Sequence, residues 1–325
     1  MSFKEVIGQE NAVSLLKVAY RHNRIAHAYL FVGAEGIGKK KAALNFAKLL
    51  VCEDPKGEEP CDRCPSCLKG DAFNHPDIQM VSPEGQFIKI DAIREARRRL
   101  SLVGFESARK CLLIYDAQYL NDESSNALLK TLEEPTPNTV ILLVADSIRS
   151  ILPTIASRCQ RIIFSPLSEK VIESILSGPG DIPAEEVSYL ARMAQGSLGN
   201  ARRYQKDALF ERKNRIIRDA LDRNYPVDRF IDWSIKDKTQ RKAKIDESLR
   251  VLSTWFRDLF LAKISPGSEA FINRDLKDDI VRASEDFSLA QIEARLAAIA
   301  ETTKNLERNL NVRILLTNMR VELWK

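Results

Sequence analysis

The sequence predicts an α/β core on a doubly wound parallel sheet, followed by a small helical lid and an all-α C-terminal domain. Short apolar runs alternate with helical segments in the first half of the chain, and a glycine-rich loop separates the first such run from the next helix. From Ser168 onward the periodicity is only helical. A length of 325 residues exceeds one typical domain. We therefore predict three units, at residues 1–167, 168–207 and 208–325.

The composition is that of a soluble globular protein, with 44% hydrophobic and 29% charged residues. The surplus of basic residues is only +5, which is compatible with an anionic partner but does not require one. The opening "MSFKEVIGQE" carries charges and no apolar core of signal-peptide length, and no run of about 18 apolar residues occurs. We expect a cytoplasmic protein with no membrane partner.

The elements of the core follow from apolar runs and their terminators. Apolar runs of strand length predict five strands, at His27–Gly33, Asp77–Val81, Lys110–Ala117, Thr139–Asp146 and Cys159–Leu167. Helical spacing predicts helices at Gln9–Arg24, Lys40–Val51, Ile90–Leu102 and Asp122–Glu134, the last stopped by Pro135 and Pro137.

Two apolar stripes predict long helices in the C-terminal region. One consists of Leu249, Leu252, Phe256, Leu259 and Phe260, and the other of Leu289, Ile292, Leu296 and Ile299. Ser288 and Gln291 predict a capping box at the start of the second helix.

The stretch "FVGAEGIGKKKAALNF" predicts a phosphate-binding loop. Gly33, Gly38 and Lys39 meet the pattern G-x-x-x-x-G-K-[ST], and Gly36 adds a further glycine. Glycines let backbone N–H groups face phosphate, the lysine neutralises charge, and the following helix adds its dipole. Lys40 stands where a hydroxyl should bind Mg²⁺, and an ammonium cannot ligate a cation. The magnesium site is therefore expected to be incomplete, and ATP or ADP binding is left open.

A second part of a nucleotide site is predicted in "LLIYDAQYL". Asp116 ends an apolar run and is suited to holding Mg²⁺ directly or through water. The next residue is Ala117, where an active enzyme would carry a glutamate that polarises the attacking water. The alternative is that Asp116 merely ends a strand.

Four cysteines cluster within the stretch "CEDPKGEEPCDRCPSC", residues 52–67. The ligands would be Cys52, Cys61, Cys64 and Cys67, a set that suits tetrahedral Zn²⁺ with no open position. An iron–sulfur cluster or a regulatory thiol set is the alternative. His75 is a further candidate ligand, although a place in a turn before the next strand is favoured.

The chain resembles the delta-prime subunits of the bacterial DNA polymerase III clamp loader, in the AAA+ group. The resemblance rests on "IGQE", "HAYLFVG", the four-cysteine insertion, "NALLKTLEEPTPNT" and "LPTIASRCQ" in the first 203 residues, and on "LERNLNVRILL" near the C-terminus. It implies an AAA+ core and a C-terminal collar domain. Implied partners are gamma/tau-type ATPase subunits, delta-type subunits, the sliding clamp and, through the complex, primed DNA.

The resemblance assigns Arg158, in "SRC", the role of an arginine finger that reaches ATP on a neighbouring subunit. It also implies a sensor arginine at position 199, which is Gly199 here. With Lys40, Ala117 and Gly199 all departing from the active pattern, we expect a structural subunit of the polymerase III holoenzyme without its own ATPase activity. The alternative is a weakly active AAA+ ATPase of a clamp loader or a related repair motor.

A basic helix face offers a further hypothesis. Arg94, Arg97 and Arg98 fall on one side of a predicted helix, where they would either contact DNA or form a solvated surface.

Overall fold

The computed structural model describes residues 2–101, 106–107, 109–178, 182–222, 226, 231–232, 234–265, 267–307 and 310–324. The chain divides into two units, Met1–Leu167 and Ser168–Lys325. The further division of the second unit at residue 208 stays a prediction. Leu102, and Arg308 and Asn309 of the C-terminal motif, lie outside the described residues.

The first unit is built on a five-stranded parallel sheet, as predicted. Its order is β2-β3-β4-β1-β5, so that the first strand lies between the last two. The strands are β1 (Ala28–Val32), β2 (Ile78–Val81), β3 (Lys110–Ile114), β4 (Thr139–Ala145) and β5 (Gln160–Ile163).

Six α-helices accompany the sheet in the described part of this unit. They are α1 (Glu10–Arg21), α2 (Lys39–Val51), α3 (Pro65–Asp71), α4 (Ile90–Ser101), α5 (Asp122–Glu133) and α6 (Pro153–Ala156). The side chain of Asn121 caps α5 by accepting a hydrogen bond from the backbone N–H of Ser124 at 2.8 Å. Most predicted ends lie within one or two residues of the observed ones. Three elements end earlier than predicted: the strands predicted to end at Ala117 and Leu167 end at Ile114 and Ile163, and the helix predicted to end at Arg24 ends at Arg21.

The sheet is covered on both faces, which is why its strands read as nearly continuous apolar runs. In β1, Tyr29 and Phe31 join the core formed with α1 and α2. Ala28 and Leu30 point to the opposite core, formed with α4 and α5. The alternation follows from the strand period of two.

The described part of the second unit contains helices and connecting segments but no strand. Its helices are α7 (Glu169–Leu176), α8 (Ala184–Met193), α9 (Leu198–Lys206), α10 (Leu209–Leu221), α11 (Lys238–Ile264), α12 (Lys277–Glu285), α13 (Leu289–Glu307) and α14 (Val312–Leu323). Among the described helices none is both long and apolar enough to cross a bilayer.

The buried surface of helix α11 is wider than the apolar stripe predicted from the sequence. Leu252, Phe256 and Leu259 are buried as expected, but Val251 and Trp255 on other faces are buried too. A helix that is apolar on most sides belongs inside a domain rather than at its surface.

The start of α13 confirms the predicted capping box. The Gln291 backbone N–H donates to the Ser288 hydroxyl, and the Ser288 N–H donates to the Gln291 side-chain oxygen at 2.8 Å. Ile292 and Ile299 are buried, whereas Leu289 is 41% exposed. The prediction of Leu289 as a stripe member was wrong, because the first turn of the helix leaves this side chain in solvent.

Candidate functional site

The glycine loop lies at the carboxyl end of β1, where parallel sheets place their ligand sites. Gly36 and Gly38 have left-handed φ angles of 74° and 103°, and α2 begins directly after Gly38. At Gly33 a Cβ atom would lie 2.5 Å from the backbone oxygen of Phe164 and 2.6 Å from Cδ1 of Ile37. The loop can therefore close against the chain after β5 only with glycine at this position.

Gly33→Ala is expected to lower the free energy of unfolding by about 2–3 kcal/mol more than Gly85→Ala does. Both glycines have positive φ, but a Cβ at Gly85 would meet nothing within 4 Å. Gly85→Ala carries only the strain of its left-handed φ of 75°, about 1–2 kcal/mol, so the difference reports the backbone clash at Gly33 together with the further strain of its φ of 153°. Urea denaturation of both variants measures it, and equal losses would contradict the structure.

Lys39 is almost fully buried in the loop, with 5% of its side chain exposed. Its ammonium donates to the carbonyl oxygens of Gly33 and Ala34 and to Oδ1 of Asp146, the last at 3.1 Å. Burial lowers the pKa of Lys39, and the neighbouring Asp146 carboxylate opposes this shift. Asp146 directly follows β4, next to β1, and so completes the loop's charge balance.

Lys40 and Asp116 form an ion pair across the mouth of the site. The ammonium of Lys40 lies 2.6 Å from Oδ2 of Asp116 and 5.6 Å from the ring centroid of Tyr115. Asp116 has a left-handed φ of 54°, a conformation that aspartate tolerates better than most residues. The two residues predicted for the nucleotide site are thus together, but they bind each other.

The position of the missing glutamate is enclosed. Ala117 is 1% exposed and belongs to the core on the α4 and α5 face. An acid placed there would enter an apolar surrounding, where an unpaired charge is strongly unfavourable. The next residue, Gln118, instead donates to Oδ2 of Asp146 at 2.8 Å.

Arg158 is exposed and paired within its own chain. It follows α6, and its guanidinium donates to Oε1 of Glu133 at 2.8 Å and to the backbone oxygen of Thr154 at 3.0 Å. The side chains of Arg158 and Glu133 are 38% and 51% exposed. Exposed pairs contribute about 0–1 kcal/mol, so the contact of Arg158 with Glu133 is weak.

The four clustered cysteines converge as predicted. All four Sγ atoms lie within 4.8 Å of one another, with Cys52–Cys64 at 4.0 Å, Cys61–Cys67 at 3.9 Å and Cys52–Cys67 at 3.6 Å. Four thiolates about 2.3 Å from a tetrahedral ion would be about 3.8 Å apart, so the set fits a metal ion. Three Sγ atoms also accept hydrogen bonds from backbone N–H groups of the cluster.

Burial raises the pKa of the two remaining cysteines, Cys111 and Cys159, to about 12. Neither is therefore a thiolate near neutral pH. His75 lies before β2, where its Nδ1 accepts a hydrogen bond from the N–H of Asp77 at 3.0 Å. This contact agrees with the predicted place in a turn.

A buried lysine ties the cysteine segment to the loop helix, and sequence reasoning missed it. Lys48 of α2 is 0% exposed, and its ammonium contacts Asp62 at 2.5 Å and Asp71 at 2.8 Å. Burial disfavours its charge, but the hydrogen bonds that the ammonium donates to both carboxylates raise the pKa of Lys48 overall. Gly70 is needed beside it, because a Cβ there would lie 2.9 Å from Cγ of Lys48. The only sequence signal is a lysine on the apolar side of a helix.

Two of the three arginines predicted for the basic face of α4 are paired within the helix, and the third, Arg97, is exposed. Arg98 contacts Glu95 at 2.8 Å, and Arg94 lies 3.8 Å from Asp91. These contacts agree with a solvated surface. In the second unit, Gly199 lies in the first turn of α9, two residues after the capping residue Ser197.

The fold and loop define a class. A parallel sheet with the order β2-β3-β4-β1-β5, a glycine loop after β1 and an acid after β3 together make an AAA+-type phosphate-loop core. A helical C-terminal unit follows it.

Comparison with known proteins gives the family. The model of the family described as "DNA polymerase III, delta subunit" matches residues 8–168. The chain is 30% identical to DNA polymerase III subunit delta' of Bacillus subtilis over 319 residues, which is 96% of this chain and 94% of that protein. The chain belongs to the delta-prime subunit family of bacterial DNA polymerase III.

Two further similarities are more limited. Subunit delta' of Pseudomonas aeruginosa is 34% identical over 201 residues, which cover 59% of this chain and 60% of that protein. A gamma subunit-related DNA polymerase III protein of Thermotoga maritima, known as a crystal structure, is 18% identical with a TM-score of 0.43 and covers 96% of this chain and 99% of that one.

Proposed function

We propose that this chain is a non-catalytic subunit of the DNA polymerase III clamp loader, acting in the cytoplasm to help place the sliding clamp on primed DNA. The observation that carries the proposal is the similarity to subunit delta' of Bacillus subtilis along 96% of the chain. Matches to tau and gamma subunits support ATPase subunits of that type as partners. A delta-type subunit and the sliding clamp complete the proposed set of partners.

The absence of intrinsic ATPase activity is inferred from the chain's own phosphate loop and the residues around it, which we call the cis site. Lys40 pairs with Asp116 instead of offering a hydroxyl, and Ala117 offers no base. A phosphoryl-transfer site needs both a metal and a residue that orients water. The two losses are independent of one another, because they fall on different elements.

The trans role is inferred for Arg158. Its guanidinium is exposed, always charged and shaped for two parallel hydrogen bonds to phosphate oxygens. It acts on ATP bound by the neighbouring subunit, while Glu133 holds it in this chain when no such phosphate is present. The chain thus transmits ATP binding across an interface without hydrolysing ATP itself.

Two further roles complete the proposal. The sulfurs of Cys52, Cys61, Cys64 and Cys67 hold a structural Zn²⁺ that stabilises an insertion with little apolar content of its own. The C-terminal helices form part of the oligomeric collar.

Clamp loading on primed DNA by a reconstituted complex tests the proposed function. We expect loading to require this chain and to be unchanged by Lys39→Ala, because the cis loop takes no part in catalysis. Loading at the full rate without the chain would contradict the proposal. Loss of loading with Lys39→Ala, in a variant that still assembles, would contradict the non-catalytic role.

A further inference from the structure

The ion pair of Lys40 with Asp116 occupies the part of the loop where a magnesium ion would be needed. Mg²⁺ takes oxygen ligands in near-octahedral geometry, usually including a carboxylate. The carboxylate that faces Lys40 is that of Asp116, which follows β3, and the Lys40 ammonium lies 2.6 Å from it. An ammonium only donates hydrogen bonds, so Lys40 both removes the hydroxyl ligand and takes the carboxylate.

The pair is held from a second side. The Lys40 ammonium lies 5.6 Å from the ring centroid of Tyr115, within the range of a cation–π contact. A divalent cation entering beside Asp116 would meet a like charge at close range, which is strongly unfavourable. Metal and Lys40 therefore compete for one carboxylate.

The other lysine of the loop is also satisfied without a ligand. Lys39 donates to the carbonyl groups of Gly33 and Ala34 and to Asp146, and these hydrogen bonds stabilise the loop. The two ammonium groups are matched by two carboxylates, Asp116 and Asp146. An arriving metal–nucleotide complex would meet no unmatched positive charge from these four groups.

We propose that Lys40 substitutes for the magnesium ion of the phosphate loop, so that the loop accepts no metal–nucleotide complex, and that a hydroxyl at position 40 restores metal-dependent nucleotide binding. This inference goes beyond the role in clamp loading, because it concerns the isolated chain and one residue of its loop.

Titration of the purified full-length chain with a fluorescent ATP analogue, in MgCl₂ and in EDTA, tests the inference. For the unaltered chain, Mg²⁺ is expected to change the affinity by less than about twofold. For Lys40→Thr, Mg²⁺ is expected to strengthen binding by at least ~10-fold, a coupling typical of two linked ligands. Lys41→Thr is the matched control: Lys41 pairs with Glu5 at 3.0 Å on the exposed surface, and this variant should behave like the unaltered chain.

Asp116→Asn provides a second, independent test. Asparagine accepts the left-handed backbone of position 116 and leaves the Lys40 ammonium available to phosphate. Binding in EDTA should become stronger than in the unaltered chain, with no gain from Mg²⁺. The inference is overturned if Lys40→Thr shows no magnesium dependence, if the unaltered chain shows the same dependence as that variant, or if Asp116→Asn binds no better in EDTA. None of these outcomes bears on clamp loading by the complex, which is measured separately.

Discussion

Replacing Arg158 by alanine is expected to lower kcat at the neighbouring subunit's ATP site by about 10³-fold, the smaller end of the range found for arginine fingers. The guanidinium would stabilise charge that develops on the transferred phosphoryl group, which alanine cannot do. Folding should be preserved, because the pair lost with Glu133 is exposed on both sides and contributes about 0–1 kcal/mol. Single-turnover ATP hydrolysis by the reconstituted complex measures the effect.

Arg161→Ala is the matched control for this experiment. Arg161 is an exposed arginine on β5, close in sequence to Arg158, and its removal should leave hydrolysis unchanged. Glu133→Gln should not reproduce the loss, because it only releases Arg158 from its partner within the chain. Unchanged hydrolysis by an Arg158→Ala complex that still assembles would exclude the trans role.

Cys67→Ser is expected to reduce bound zinc from one ion per chain to none and to lower the free energy of unfolding by more than about 3 kcal/mol. Cys67 is buried and its sulfur lies 3.6 Å from that of Cys52, so a weaker oxygen ligand there opens the tetrahedral set. Since Lys48 links the cysteine segment to α2, the loss should spread beyond the insertion. Metal analysis and thermal denaturation, each with and without a chelator, measure both effects.

Cys111→Ser controls for the loss of a buried thiol. Cys111 lies on β3 outside the cluster, so this variant should keep its zinc and its sensitivity to chelator, whatever its own stability. If a chelator removes the metal from the unaltered chain and the melting temperature does not change, the structural role of zinc is refuted.

Much of the first unit follows from local sequence, because its strands are buried on both faces and their apolar runs are bounded by glycine, proline or charge. The phosphate loop and the cysteine cluster could also be predicted, because each is defined by residues that are close together in the sequence. Asp116 could be predicted as the acid after a strand, since strand, turn and acid are neighbours in the chain.

The partners of these residues could not be predicted in the same way. Lys40 and Asp116 are separated by 76 positions and Lys39 and Asp146 by 107. They meet because β1 enters the sheet beside β4, which itself pairs with β3, and local periodicity does not specify this strand order. The pairing of Arg158 with Glu133 likewise depends on how α6 packs near the end of α5.

In the second unit, even the burial of individual residues is difficult to predict from the local sequence. A helix that is buried on most faces, as α11 is, does not show a single apolar stripe along its whole length. Its buried residues therefore cannot all be identified from helical periodicity. Asp258 illustrates the difficulty: it is 0% exposed, and its carboxylate accepts hydrogen bonds from the backbone N–H groups of Ile272 and Asn273. Its sequence neighbours give no sign that it is buried.

Measuring ATP turnover by the purified chain alone tests most directly the claim that this subunit does not hydrolyse ATP at its own phosphate loop. The preparation must be one that supports clamp loading when it is combined with its partner subunits, and Lys39→Ala serves as the reference for a disabled loop. We predict that the unaltered chain hydrolyses ATP in Mg²⁺ no faster than Lys39→Ala does. Turnover that is present in the unaltered chain and lost in Lys39→Ala would contradict this claim.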